Sequence, residues 1–295
     1  MLDPVLLNAI GDLELVARVT VDGTLSGMHR SPFHGYSAEF SQYRHYRPGD
    51  DLKYVDWKLL ARTDRVYTKQ FRETTNLRAQ IAVDASRSMS YRAGAGVSKL
   101  DYARLLAAAL AHILAGQGDG IGLLIYDESL RRHIPSRTGQ PHLHTLFVAL
   151  AQMRAEGGAT TAAPAIRRAV DLLERRGLLI LISDLYDESE EVDRELRRTM
   201  RIGHEAAIFH VLTRDEIEFP FEQDVQLEDL ETGRVLPAGS PASAQSYREQ
   251  VADFLERWRT RCAAAGIDYT RVTTDTPLDA ALRGYLLRRA ERIAG

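Results

Sequence analysis

The stretch Ala79-Gln80-Ile81-Ala82-Val83-Asp84-Ala85-Ser86-Arg87-Ser88-Met89 decides the fold. Its mostly apolar first half has the length of a strand buried on both faces of a parallel sheet, although a run this short also fits a buried helix. Asp84, Ser86 and Ser88 are hard oxygen donors at alternate positions, and a turn at the carboxyl end of a strand can aim all three at one point. Such a donor set suits a small divalent cation, magnesium or manganese, which takes oxygen ligands in octahedral geometry and keeps water or outside ligands. Taken alone, the same residues also describe a turn that ends a strand.

The residues that follow alternate strand and helix. Ser98-Lys99-Leu100-Asp101 opens a helix running to about Gly116, with Leu106, Ala109, Leu110 and Ile113 at i, i+3, i+4 and i+7. Ile121 to Tyr126 reads as a second buried strand, and Arg131 to Ile134 as a charged edge strand. A helix over 140–155 carries Leu143, Leu146, Phe147 and Leu150 on one face, and Gly157-Gly158-Ala159-Thr160-Thr161 opens another. Gly177 to Asp184 is a third buried strand ending in a carboxylate; a helix over 187–202 and a strand from Ala206 to Leu212 continue the pattern. This alternation predicts a mainly parallel sheet with helices on both faces, which binds ligands at the carboxyl ends of its strands where strand order reverses. Asp84, Ser86, Ser88, Thr160 and Asp184 all fall on loops at that edge, and their convergence from three segments favours a metal site over separate turns.

Composition limits the alternatives. The 295 residues are 44% hydrophobic, with 38 Lys and Arg against 41 Asp and Glu, a net charge of −3. Residues 1–78 hold 11 basic against 10 acidic side chains, so the aromatic stretch from Gly27 to Thr74 forms no basic platform, and a nucleic-acid partner is not expected. Cys262 is the single cysteine, excluding an internal disulfide and a cysteine-rich zinc site. Uninterrupted apolar runs stay below about 18 residues, and the N-terminus has no signal-peptide pattern, so the expectation is a cytoplasmic chain without a membrane segment.

At the two ends the pattern is more mixed. A short helix is expected over 1–10. Residues 13–25 read as extended, from Val16, Val19, Val21 and the turn pair Asp22-Gly23. Pro48-Gly49-Asp50-Asp51 marks a turn and Val66 to Phe71 a half-buried strand. His29, His34 and His45 lack a compact ligand spacing and are expected to be structural. From Glu216 to Leu236 the chain reads as strand-rich, with a hairpin turning at Thr232-Gly233; a helix over 243–262 presents Tyr247, Val251, Phe254, Leu255 and Trp258, and a last strand and helix follow Ile267 and Pro277. The organisation expected is a β-rich N-terminal unit at 1–78 and an α/β domain at 79–295 with a β-rich insertion at about 216–238.

Asp84-x-Ser86-x-Ser88, with Thr160 and Asp184, resembles the metal-ion-dependent adhesion site of von Willebrand factor type A domains, over roughly residues 75–290. The resemblance implies a Rossmann-like fold and a Mg2+ or Mn2+ ion contacted by Ser86, Ser88 and Thr160 and held directly or through water by Asp84 and Asp184; Thr161 is the alternative to Thr160. Upstream, His29-Arg-Ser-x-Phe-x-Gly35-x-Ser-x-Glu39-Phe40, Arg44-x-Tyr46-x-Pro48-Gly49-Asp50-Asp51 and Val55-Asp56-Trp57-x-x-x-Ala61-Arg62 look like the signature of the bacterial family called domain of unknown function 58. That resemblance implies a MoxR-type AAA+ ATPase as partner and a co-chaperone role in protein maturation or complex assembly. The function expected is metal-dependent protein interaction, a partner supplying an acidic residue to the ion. The alternative is a metal-dependent hydrolase of a phosphoester or peptide, for which Asp127, Asp187 and His204 are the candidate general bases. The Gly-x-x-x-x-Gly-Lys-Ser/Thr pattern of nucleotide loops does not occur.

Overall fold

The computed structural model describes residues 4–25, 38–47, 55–73, 77–156, 161–173, 176–221, 225–228, 235–238 and 241–294. Its centre is a six-stranded sheet of β3 (Arg78–Asp84), β4 (Gly120–Tyr126), β5 (Leu130–Arg137), β6 (Gly177–Ser183), β7 (Glu205–Leu212) and β10 (Asp268–Thr273), in the order β10-β7-β6-β3-β4-β5. All neighbours run parallel except β5, which lies antiparallel on β4 at one edge. This is the von Willebrand factor A-like arrangement expected from the sequence.

Side-chain alternation along the central strands feeds two cores. Ile81 and Val83, Leu123 and Ile125, and Ile180 and Ile182 face one side, where α3 (Lys99–Gly116), α4 (Gln140–Ala151) and α9 (Leu278–Ala294) pack. Ala82, Leu124, Leu179 and Leu181 face the other, against α5 (Ala162–Asp171), α6 (Glu190–Arg201) and α8 (Pro241–Ala265). Strands buried on both faces read as continuous apolar runs, which is why 79–83, 121–126 and 178–182 were recognisable. Gly122 leaves room for the buried Gln80 side chain of β3, whose Oε1 would lie 2.2 Å from a Cβ at position 122.

The amino-terminal segment departs from expectation. Residues 13–25, expected to be extended, are part of one helix, α1 (Pro4–Leu25), which packs on α3, α4 and α9. Leu13, Ala17, Val21 and Thr24 form its buried stripe at helical spacing, while Val16 and Val19 face outward. Burial of that stripe overrides the strand propensity of the valines, which is a weak preference. Helix α3 explains the need for it: Leu100, Ala103, Ala107, Ala111 and Leu114 are buried in addition to the face on the sheet, and a helix apolar on two sides needs a second cover.

The small N-terminal β unit is the antiparallel ribbon of β1 (Ala38–His45) and β2 (Tyr67–Glu73), with α2 (Trp57–Thr63) between them. Three of its described rings pack together. Tyr67 meets Tyr43 edge-on and stacks on His45, and Tyr43 Oη donates to Asp56, whose carboxylate caps α2. Residues 216–218, the start of the stretch expected to be strand-rich, instead end a one-turn helix α7 (Arg214–Glu218), because Thr213-x-x-Glu216 closes a capping box. The hairpin is present as β8 (Val225–Glu228) paired with β9 (Val235–Ala238). Its turn at Thr232-Gly233, and likewise His29, His34, the turn at 48–51, the 157–159 segment and Thr160, lie outside the described residues. Among the described residues no helix is long and apolar enough to cross a membrane.

Candidate metal centre

The chain leaves β3, builds outward through β4 and β5, then returns to the opposite side of β3 to lay down β6, β7 and β10. Strand order therefore reverses between β3 and β6, where loops diverge and leave a crevice at the carboxyl edge. Asp84 ends β3, and Asp184 directly follows the last residue of β6. Both are fully buried, as is Ser86, and Ser88 is 8% exposed. The topology thus brings four of the five expected ligands to one crevice.

The loop after β3 is held by its backbone. Ala85 N donates to Tyr126 O on β4 at 2.7 Å, a 3-10 turn spans Arg87–Ser90, and the fully buried Met89 anchors it. Ser86 N donates to Asp84 Oδ1 at 2.9 Å, and the Ser86 and Ser88 hydroxyl oxygens are 3.0 Å apart. Ser183 Oγ donates to Asp84 Oδ2 at 2.7 Å and accepts from Leu185 N at 2.9 Å, tying the two loops together. Leu185 adopts a left-handed φ of 57°, and its carbonyl accepts from the buried Trp258 indole at 3.2 Å. That turn sets the direction of the preceding Asp184.

Two buried carboxylates, Asp84 and Asp184, dominate the electrostatics of the crevice. Burial first, and then the negative charge of Asp184, push the Asp84 carboxyl up to about 7, against hydrogen bonds from Ser183 and Ser86 that pull it down. Asp184 Oδ2 accepts from Lys99 Nζ at 2.9 Å, while Asp184 Oδ1 is buried with no hydrogen-bond partner among the described residues. Lys99 Nζ also reaches Glu216 Oε1 at 2.5 Å. Burial pulls the Lys99 ammonium towards neutrality, but Asp184 and Glu216 outweigh it and hold its pKa above the ordinary value.

Among the described residues no three His, Cys, Asp or Glu side chains gather as a metal-binding group. The set here is of another kind, two carboxylates and two hydroxyls. An unpartnered buried carboxylate oxygen, a second carboxyl held against its ionisation and two adjacent hydroxyl oxygens fit a hard divalent cation. Asp84, Ser86, Ser88 and Asp184 are the residues that would hold it. Thr161 N donates to Asp127 O and its exposed hydroxyl to Glu128 O, so that threonine is already engaged.

The candidate general bases are engaged too. Asp127 accepts from Ser129 N at 3.0 Å and pairs with Arg131 at 2.5 Å. Asp187 accepts from Ala162 N and Ser189 N, both at 3.0 Å, and so caps α5. His204 accepts from Gly177 N at 3.1 Å at the amino-terminal edge of the sheet, the far end from Asp84. Sequence reading missed Lys99, Ser183 and Glu216. Lys99 carried a signal, since a cation in the first turn of a helix opposes the helix dipole and requires compensation.

A mainly parallel sheet with one antiparallel edge strand, and an Asp-x-Ser-x-Ser loop at its switch point, define a von Willebrand factor A-like domain. The chain belongs to the family described as protein of unknown function DUF58, whose model matches residues 42–260. The uncharacterized protein Rv1480 of Mycobacterium tuberculosis is 33% identical over 238 residues, spanning 79% of this chain and 73% of that protein. Among solved structures, an aerotolerance-related membrane protein from Bacteroides fragilis has a TM-score of 0.50 at 16% identity, covering 73% of this chain and 99% of that one. The conserved hypothetical protein BatB from Bacteroides thetaiotaomicron gives the same figures. At that identity the likeness is one of fold.

Proposed function

We propose that the chain is a metal-dependent protein-interaction module. Asp84, Ser86, Ser88, Thr160 and Asp184 hold Mg2+ or Mn2+, and a partner's carboxylate takes an open position on the ion. The observation that carries this reading is the gathering of buried Asp84, Ser86, Ser88 and Asp184 at the switch point, with Asp184 Oδ1 lacking a hydrogen-bond partner among the described residues. Two anionic ligands only balance a divalent charge, and the nearby Lys99 ammonium offsets one of them, which leaves the ion attractive to an outside acid. Arg87, exposed between Ser86 and Ser88, adds a cation at the rim for an acidic partner. Engagement of Asp127, Asp187 and His204 in structural bonds weighs against the hydrolase alternative. The partner proposed is a MoxR-type AAA+ ATPase, with a role in maturation or assembly of other proteins.

Titration calorimetry of magnesium and manganese into wild type and Asp84→Ala, with and without a MoxR-type ATPase from the same organism, tests this. Binding by wild type alone, tightened by the ATPase and lost on substitution, is the expected result. Equal ATPase capture in magnesium and in EDTA would remove the metal from the interaction.

A further inference from the structure

We propose that Lys99 is a built-in cation of this crevice, a charge-setting residue that holds magnesium affinity low and leaves the bound ion receptive to an outside carboxylate. The inference rests on the metal reading above and assigns a role to a side chain outside the ligand set.

Lys99 occupies a position that is unfavourable on every local ground. It is the first residue of α3, where the helix dipole presents positive charge. Its side chain is fully buried, which is rare for lysine unless it is paired. Two carboxylates from distant loops, Asp184 at 2.9 Å and Glu216 at 2.5 Å, meet it there, and the Tyr186 ring centroid lies 5.0 Å from Nζ. Glu216 is fixed in turn: its other oxygen accepts from Thr213 N at 2.7 Å and from Thr213 Oγ1 at 2.9 Å, and Tyr186 Oη donates to Oε1 at 3.0 Å. The ammonium is thus clamped against one oxygen of Asp184, while the other oxygen has no hydrogen-bond partner among the described residues.

The charges explain the arrangement. Ionised Asp84, Asp184 and Glu216 with Lys99 sum to −2, so one divalent ion brings the cluster to zero. Without Lys99 the loaded cluster would carry −1 and repel a partner's carboxylate; the empty one would carry −3 and bind the ion more tightly. Lys99 therefore trades affinity for the metal against affinity for the outside acid, and it also spares the empty site from unbalanced buried charge.

Calorimetric magnesium titrations of wild type, Lys99→Met and Glu216→Gln test the assignment, since the two substitutions change the local charge in opposite directions. Lys99→Met is expected to tighten magnesium binding by at least about tenfold and Glu216→Gln to weaken it by a similar factor, as expected for a unit charge a few ångströms from the ion. In EDTA Lys99→Met melts below wild type, and magnesium restores more of its stability than it adds to wild type. A purely structural role would weaken binding in both variants. Folded Lys99→Met with equal or weaker magnesium affinity than wild type overturns the proposal. If Lys99→Met does not fold in chelator, the double variant Lys99→Met/Glu216→Gln, whose cluster keeps the wild-type charge, decides: magnesium affinity recovered above that of Glu216→Gln is expected, and affinity at or below it overturns the proposal. Absence of magnesium binding by wild type up to millimolar concentration sinks the metal reading together with this one, whereas binding by wild type that ignores both substitutions sinks this one alone.

Discussion

Replacing Asp84 with asparagine should make the metal-free protein more stable at pH 8, although it removes a fully buried, hydrogen-bonded side chain. The carboxyl is raised to about 7 by burial and by Asp184. An unfolded aspartate gives up its proton near 4. Between about pH 4 and 7 the unfolded chain therefore holds fewer protons than the folded one, stability falls as pH rises, and above about 7 the loss is complete. Three pH units at ~1.4 kcal/mol each put that loss on the order of 4 kcal/mol. Asparagine keeps an acceptor for Ser86 N, and the Ser183 hydroxyl can turn to accept from the amide, so roughly 2–4 kcal/mol is recovered. Thermal denaturation in EDTA should show Asp84→Asn melting roughly 4–10 °C above wild type at pH 8. At pH 5 the gap should shrink to about 1 kcal/mol. Magnesium should raise the melting temperature of wild type only. An asparagine variant that melts below wild type in EDTA at pH 8 would refute the reasoning, because it would mean that the ionised carboxylate stabilises the empty site.

Two further tests address the supports of the site. Trp258→Phe removes the indole donor to Leu185 O and should cost about 1–3 kcal/mol, with magnesium affinity reduced severalfold as the turn behind Asp184 loosens; stability loss with unchanged affinity would separate α8 from that turn. Leu13→Ala should cost ~2–4 kcal/mol in urea denaturation with an unchanged m-value, because Leu13 is buried where α1 packs on the α/β domain; a cost below about 0.5 kcal/mol would contradict that packing.

The central strands and α3 were legible because burial on both sheet faces and on one helix face imposes patterns that a single sequence displays. Placement of Asp84, Ser86, Ser88 and Asp184 at one edge followed from strand polarity alone. The error at residues 13–25 came from weighing Val16, Val19 and Val21 one by one, whereas Leu13, Ala17, Val21 and Thr24 carry a helical period. The apolar second face of α3 was the independent sign that a cover was needed. Thr213-x-x-Glu216 was a visible helix start obscured by the strand-like residues beyond it. The Lys99 cluster was not legible, because Asp184 and Glu216 lie 85 and 117 residues from it, and no local rule links them.

The position of β3 has a mechanical meaning. It is hydrogen-bonded along its length to parallel neighbours on both sides, β4 and β6, and the crevice opens at its end. A force applied to the Asp84 loop along the strand would load both ladders in shear, so that their bonds share the force and must fail together. The β8–β9 hairpin, pulled apart from one end, would instead open one pair at a time. The loop that carries Asp84 is therefore mounted on a strand that two parallel ladders hold against tension.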